Sequence, residues 1–540
     1  MRKSTLVAGA CLAAYCVIGL AWISLPGPYY DELLFLPAAF GAPSVGNLRL
    51  FNHNLPVMIY SYVGALKSWI WHGIFLFWDP SIYSARIPAV LLAGIALVLF
   101  YLWARRWYSA RMAIVALALV SVDPSYIFTA RLDWGPVVLS HVLMWGGMLL
   151  GTIWYKQTSA QFGASSVGTL FLLGGTGFCF GLGLWDKATF IWFLVALPLS
   201  LLLLFRREFI RSLRPRALGL FVACFLAGAL PFLIYNFKSG SQGTAKMVNL
   251  EPWNASELAV KLNNIKRSLV GGSTYYLVTM GPDPAPEDRS PSFVGTVLAS
   301  VASLTNPFGE AFFWIFCIAA ACAPFRKGHR REILFPFLIT ALMWLQMMIA
   351  KGAGVSVHHY VLAYPFPQLA VAVVVCLIWE SAKRWTKPAV VAAIAVVLLG
   401  ELSWDARYLR MFRETGGRLL WTDAIYEIAD FIQERKPSQL AVMDWGFYNQ
   451  LLLLTQGRVP MYEDWYAADV PRIVDTIHDP NSLFLLHAKD VDPFPGGQKL
   501  VQEIARQENA VCRTVQNFLE REGRIVAMLV SCSPMDKGEP

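Results

Sequence analysis

Two adjacent acids, in Pro28-Tyr29-Tyr30-Asp31-Glu32-Leu33-Leu34, follow directly on an apolar run that starts near the amino terminus. A carboxylate at the margin of an apolar layer is costly to ionise unless it is paired or wet, so Asp31 and Glu32 are candidates for a general base facing a lipid-borne substrate. The structural alternative is that they cap a short interfacial helix, since acids favour helix amino termini. Other polar groups recur at the ends of apolar windows: Arg131 with Asp133, Asp186 with Lys187, and the run His358-His359-Tyr360. Arg131 offers a planar fork that can grip a phosphate through two parallel hydrogen bonds, and Lys187 offers a point charge for the same purpose. Each has a bland counterpart: an Arg131–Asp133 ion pair, a polar hairpin turn at Lys187, and interfacial anchoring by His359 and Tyr360.

These residues are carried by a chain of 540 residues that is 56% apolar and only 15% charged, with a mean hydropathy of +0.48. Windows of roughly 17 to 25 apolar residues recur from end to end, each long enough to cross a bilayer as a helix. Continuous apolarity, instead of alternation with period two, argues against a membrane β-barrel. The windows place membrane helices at about 5–25, 83–104, 112–129, 135–154, 166–185, 188–205, 217–236, 308–325, 333–350, 360–379 and 388–403, about eleven in all. The first, after Met1-Arg2-Lys3, reads as an uncleaved helix because no small-residue cleavage site precedes Pro26.

The net charge of +9 resides mainly in short loops, such as Arg105-Arg106, Arg206-Arg207 and Lys383-Arg384, so it describes topology and not a nucleic-acid partner. With a cytoplasmic amino terminus, every second loop is basic, and the segments at about 26–82, 237–307 and 404–540 face outward. The first of these holds an amphipathic run from Leu55 to Phe77, too polar to span but apolar enough to lie in the interface. Residues 1–403 then form a transmembrane catalytic unit. Residues 404–540 form a small extracytoplasmic α/β domain with a mainly parallel sheet, from strand-like runs at Gln439–Met443, Val459–Tyr462, Ser482–Leu486 and Ile525–Val530. Asp444-Trp445-Gly446 follows its first strand, where α/β domains often bind ligands. Cys512 and Cys532, the two cysteines of that domain, are expected to pair in an oxidising compartment. No Walker loop, dinucleotide fingerprint or zinc-spaced Cys/His cluster is visible.

The motif Tyr29-Tyr30-Asp31-Glu32, together with Asn52-His53-Asn54-Leu55-Pro56, Ser84-Ala85-Arg86-Ile87-Pro88, Thr129-Ala130-Arg131-Leu132-Asp133 and Gly183-Leu184-Trp185-Asp186-Lys187, resembles the GT-C membrane glycosyltransferases. The likeness is greatest to the family 39 branch, which includes protein O-mannosyltransferases and the aminoarabinose transferase of lipid A. It implies a polytopic α-helical fold, a polyprenyl-phosphate sugar as donor, and a lipid, glycan or protein as acceptor at the outer face of a plasma membrane, in a bacterial cell envelope. It also implies that Asp31 is the catalytic base with Glu32 beside it, and that Arg131, Asp133, Lys187, His53, His359 and Tyr360 contact substrate. A divalent cation, Mg or Mn, is left open as a cofactor, with Asp31 and Asp133 as its candidate ligands. Many relatives have His-Pro-Pro-Leu where this chain has His53-Asn54-Leu55-Pro56. The rival readings are a transporter or lipid flippase, whose charges would gather at the bilayer midplane, and a polymerase or ligase of carrier-linked oligosaccharides.

Overall fold

A computed structural model describes the chain except for residues 1, 43, 51–52, 161–166, 243, 245–254, 280–292, 306–307, 326–329, 352, 357, 466 and 535–540. Helix α1 (Arg2–Leu20) is followed by an irregular stretch that leads into a single 3-10 turn at Asp31–Leu33. A small antiparallel sheet comes next, built from β1 (Gly46–Leu50), β2 (His53–Tyr60) and β3 (Val63–Gly64), and then helix α2 (Leu66–Phe75). The amphipathic run from Leu55 to Phe77 is thus strand in its first part and helix in its second.

The apolar windows become α3 (Ile82–Trp107), α4 (Ala110–Ser121), α5 (Pro124–Leu132), α6 (Val137–Ala160), α7 (Val167–Asp186), α8 (Ile191–Leu204), α9 (Arg206–Ser212) and α10 (Pro215–Lys238). After α11 (Ala255–Val270) follow α12 (Ala311–Cys322), α13 (Arg330–Ile349), α14 (Phe366–Ser381) and α15 (Lys387–Thr415). Among the described residues, 6 helices are long and apolar enough to cross a membrane, or up to 8 if each of two bent pairs is one span. The chain is a multi-pass membrane protein. The remaining three expected spans coincide with shorter apolar helices, α1 from Ser4 onward, α12 and α14. One bent pair is α4 with α5, which meet at 62°. Pro124 occupies the first turn of α5 and the Asp123 side chain accepts from the Tyr126 N–H, a capped start that halts α4 and begins a new helix.

Helix α15 does not stop at residue 403 but continues to Thr415, where Gly416 adopts a left-handed conformation at φ 72° and closes it. Beyond it lie α16 (Ala424–Arg435), β4 (Leu440–Val442), α17 (Tyr448–Leu454), β5 (Met461–Glu463), α18 (Val470–His478), β6 (Leu483–His487), α19 (Gly497–Gln507), β7 (Ala510–Leu519) and β8 (Ile525–Pro534). The sheet order is β5-β4-β6-β8-β7. Strand β4 is parallel to both β5 and β6, whereas β8 runs antiparallel to β6 and β7. Two apolar layers cover it: Ile425, Ile428 and Ile432 of α16 on one face, and Ile473, Ile477, Val501 and Ile504 of α18 and α19 on the other.

Cys512 and Cys532 stand opposite each other on β7 and β8 and form a disulfide. Denatured protein prepared without reductant should therefore leave Cys512 and Cys532 unmodified by an alkylating agent, and take up two further labels per chain after reduction; mass spectrometry of the tryptic peptides reads the difference.

Candidate active site

Asp31 opens the 3-10 turn, yet its side chain makes no capping bond there. The carboxylate that reaches back to the backbone is Glu32, which accepts from the Tyr29 N–H at 3.2 Å. Glu32 is otherwise held by Arg86 of α3 in a two-pronged fork, Nε to Oε1 at 2.6 Å and Nη2 to Oε2 at 2.9 Å. Both residues are almost wholly buried, 3% and 1% exposed, so Glu32 is a positioning residue whose charge is spent on Arg86. Asp31 is left with a lighter partner. Its Oδ2 accepts from the Trp134 indole N–H at 3.0 Å. Burial pushes its carboxyl above the usual carboxylate range, while the Trp134 bond and the positive charge of Lys187 pull it partly back.

Arg131 and Asp133 do not pair with each other. The Arg131 guanidinium is fully buried and donates to the carbonyls of Gly19 at 3.3 Å and Ala21 at 2.7 Å, and also to those of Trp22 and Leu25. It therefore collects the free carbonyl groups at the end of α1, where a cation also opposes the helix dipole. The two terminal nitrogens of the fork are thus directed at backbone carbonyls. Asp133 is paired instead with Lys67 of α2, Nζ to Oδ2 at 2.8 Å, and its Oδ1 accepts from the Val138 N–H at 3.0 Å, capping α6. Both Asp133 oxygens are thus engaged. Among the described residues no three His, Cys, Asp or Glu side chains are placed to hold a metal ion.

Lys187 sits in the turn between α7 and α8 with its ammonium on the Gly135 carbonyl at 2.9 Å. Gly135 has φ 66°, and a Cβ there would lie 2.7 Å from the Lys187 nitrogen, so the glycine makes the approach possible. Burial pushes Lys187 down to about 8, against the charges of Asp186, Asp133 and Asp31, while the like charge of Lys67 pushes the same way as burial. Asp186 beside it accepts from Ser140 at 2.8 Å.

The expected contacts by His359 and Tyr360 are taken by the protein itself. Nδ1 of His359 accepts from the Gly354 N–H at 3.1 Å, and burial pushes its imidazole down to about 3, so it carries no positive charge for a phosphate. The Tyr360 hydroxyl lies 2.9 Å from the Gly354 carbonyl and 3.1 Å from that of Lys261. His53 begins β2, but its side chain falls outside the described residues.

An aromatic enclosure surrounds Asp31. Tyr29 is stacked on Trp421 at 4.0 Å and meets Trp134 edge-on at 5.4 Å, and Trp134 lies against His358 at 4.5 Å. Trp421 belongs to the last quarter of the chain. Sequence reasoning missed Trp134, Lys67 and Trp421 as parts of the site; of these only Trp134 carried a local signal, as the immediate neighbour of Asp133.

No family profile matches the sequence, and no curated protein does. Solved structures do. ArnT from Cupriavidus metallidurans bound to undecaprenyl phosphate superposes with a TM-score of 0.59 at 13% identity, covering 97% of each chain. The same protein in the apo state superposes at 0.50 with 14% identity, covering 98% of each. This chain has the fold of these ArnT structures. In it, the junction after the first helix is the place where Asp31, Trp134 and Lys187 are gathered.

Arg131→Lys should act on folding. Lysine keeps the charge but cannot span several carbonyls at once, and each buried acceptor left bare costs about 1–3 kcal/mol. The variant should melt well below the wild type in thermal unfolding of the purified protein in detergent. An unchanged melting temperature would overturn this structural role.

Proposed function

We propose that the chain is an inverting glycosyltransferase that moves a sugar from a polyprenyl-phosphate carrier to an acceptor hydroxyl. The observation that carries this reading is the contrast among the acids: Glu32 is paired with Arg86 and Asp133 with Lys67, whereas among the described residues Asp31 has a neutral indole as its hydrogen-bond donor and a raised affinity for protons. A base needs that freedom. Asp31 takes the proton of the acceptor hydroxyl as its oxygen attacks the anomeric carbon, on the face opposite the phosphate. The bond from that carbon to the phosphate oxygen breaks and its electron pair leaves with the carrier phosphate. Lys187 holds the charge that develops there. One base suffices because a phosphate ester already carries its leaving group, the arrangement of an inverting glycosidase with an acceptor in place of water.

A cavity of about 860 Å³ supports the lipid half of this reading. It follows α8 from Ile191, four residues beyond Lys187, to Phe205, and is lined by Phe180, Leu194, Leu201 and Phe221 among others. At 1.5 Å per residue that is roughly 20 Å of apolar wall, suited to an isoprenoid tail whose phosphate rests near Lys187. The likeness to a fold solved with undecaprenyl phosphate bound agrees with it.

The same reading places the tail, from about residue 404 onward, and the site on the outer side of the plasma membrane. The basic loops and the disulfide in the tail support that orientation. A fusion after Gly417 should be active with alkaline phosphatase and silent with a cytoplasmic reporter; the reverse pattern overturns the orientation.

Asp31→Asn tests the mechanism. It keeps the shape and can still meet Trp134 through its amide oxygen, but it cannot take a proton. Transfer should fall by about 10² to 10⁴-fold with the melting temperature unchanged. In the wild type, the acidic limb of the rate profile should lie above the ordinary carboxylate range. Burial favours the protonated form, which is inactive as a base, so activity rises as pH rises through the shifted value. Near-normal turnover by Asp31→Asn would remove the residue from the chemistry.

A further inference from the structure

Strands β4, β5 and β6 are parallel, so their carboxyl ends lie along one edge of the tail sheet. In open α/β sheets that edge is where ligands bind. Here it carries Asp444-Trp445 after β4, Glu463 at the end of β5 with Trp465 just beyond, and His487 at the end of β6. The edge faces the loop that bears Asp31. The Trp445 ring lies 5.0 Å from Tyr30 and 5.7 Å from Tyr29, the Asn449 amide donates to the Tyr30 carbonyl at 3.3 Å, and the Tyr30 hydroxyl donates to Glu463 at 3.0 Å.

From Trp445 a series of rings continues outward. Phe494 meets Trp445 edge-on at 5.9 Å and is stacked at 5.3 Å on Trp465. Phe494 is 53% exposed, while Tyr29 and Tyr30 at the inner end are buried. Flat apolar rings thus lead from solvent to the immediate neighbours of Asp31. Polar atoms beside them lack donors. Among the described residues Glu463 Oε1 and Asp444 Oδ1 are buried without a hydrogen-bond partner, although the second oxygen of each is engaged, by Tyr30 and by the His487 N–H at 2.6 Å. Burial pushes both carboxyls up to about 7. Orphaned acceptors of this kind call for a ligand that brings donors.

Rings and acceptors together select a chemistry. The C–H faces of a sugar ring are weakly positive and lie well on the negative faces of Trp and Phe, and its hydroxyls donate to carboxylates. A phosphorylated ligand would meet Glu463 and Asp444 with like charge. The nearby guanidinium, Arg472, lies 3.9 Å over the Tyr462 ring and is turned to that face. We propose that this edge is the acceptor site and that it takes a carbohydrate, with Trp445, Trp465 and Phe494 as its platform and Glu463 as a hydrogen-bonding partner, delivering a sugar hydroxyl to Asp31. The assignment of the sugar as acceptor rests on the glycosyl-transfer reading above.

Purified full-length protein in detergent, tested by saturation-transfer NMR against maltotetraose and the tetramer of N-acetylglucosamine, decides it. Undecaprenyl phosphate is titrated in parallel by thermal shift. The wild type should give saturation transfer from at least one oligosaccharide, and Phe494→Ala and Trp465→Ala should each weaken that binding by tenfold or more. Both side chains lie at the outer end of the series, so the melting temperatures should stay near that of the wild type. Absence of binding by the wild type, or wild-type affinity in both variants, overturns the site. Oligosaccharide binding without any thermal shift from undecaprenyl phosphate overturns the donor reading while supporting the sugar platform.

Discussion

Everything at the site hangs on how the chain leaves its first helix. Between Gly19 and Gly27 the backbone is no longer regular, and in an apolar surround each free carbonyl there needs a donor. Two buried guanidiniums provide them. Arg131 of α5 serves Gly19, Ala21, Trp22 and Leu25, while Arg86 of α3 serves Ile23, Pro26 and Gly27 and then grips Glu32. Arginine alone can do this, with five donors fixed in one plane. The position of Asp31 is consequently set by α3 and α5, through residues that take no part in the chemistry.

The same economy sorts the acids. Three carboxylates, Glu32, Asp133 and Asp31, come from neighbouring segments, and their environments divide them. Glu32 is locked in the fork from Arg86, Asp133 divides its oxygens between Lys67 and the start of α6, and Asp31 is held by the Trp134 indole. Separating the proton affinities of nearby acids is how a protein assigns one of them to proton transfer. Lys187 is likewise unlocked: its ammonium rests on a carbonyl and is coupled to Asp31 only through space.

Much of the bundle was legible because a bilayer imposes one rule on every crossing, an apolar run of fixed length. The eleven apolar windows all reappear as helices, though three are short and two are bent. Asp31 was legible for the same reason, as a charge at the end of such a run. The partners were not. Arg131 reads as a phosphate ligand from its planar fork at the end of an apolar run, with an ion pair to Asp133 as the alternative, whereas the carbonyls it meets lie more than a hundred residues earlier. Glu32 looked catalytic beside Asp31 because adjacency says nothing of a fork from α3. In the tail, β4, β6 and β8 announce themselves as apolar runs, and α16 as the stripe Leu420, Ile425, Ile428 and Ile432 at helical spacing, ending before Pro437. Strand β7 was missed, since Arg513, Gln516 and Asn517 break the apolar pattern and its strand character comes from pairing with β8. The tail's docking on Tyr29 and Tyr30 had no local signature, because its residues are ordinary aromatics until the fold brings them together.

The stacking of Trp421 on Tyr29 links two stretches of chain that are made at very different moments. Residues near position 30 leave the ribosome first, and those near 421 to 463 only after the whole helical bundle has been threaded into lipid. Until that late segment arrives, Tyr29 lacks its cover and Tyr30 lacks the carboxylate that receives its hydroxyl. A nascent or truncated chain therefore carries an unfinished enclosure around Asp31. Assembly of the enclosure is a record that synthesis has passed β5 of the tail.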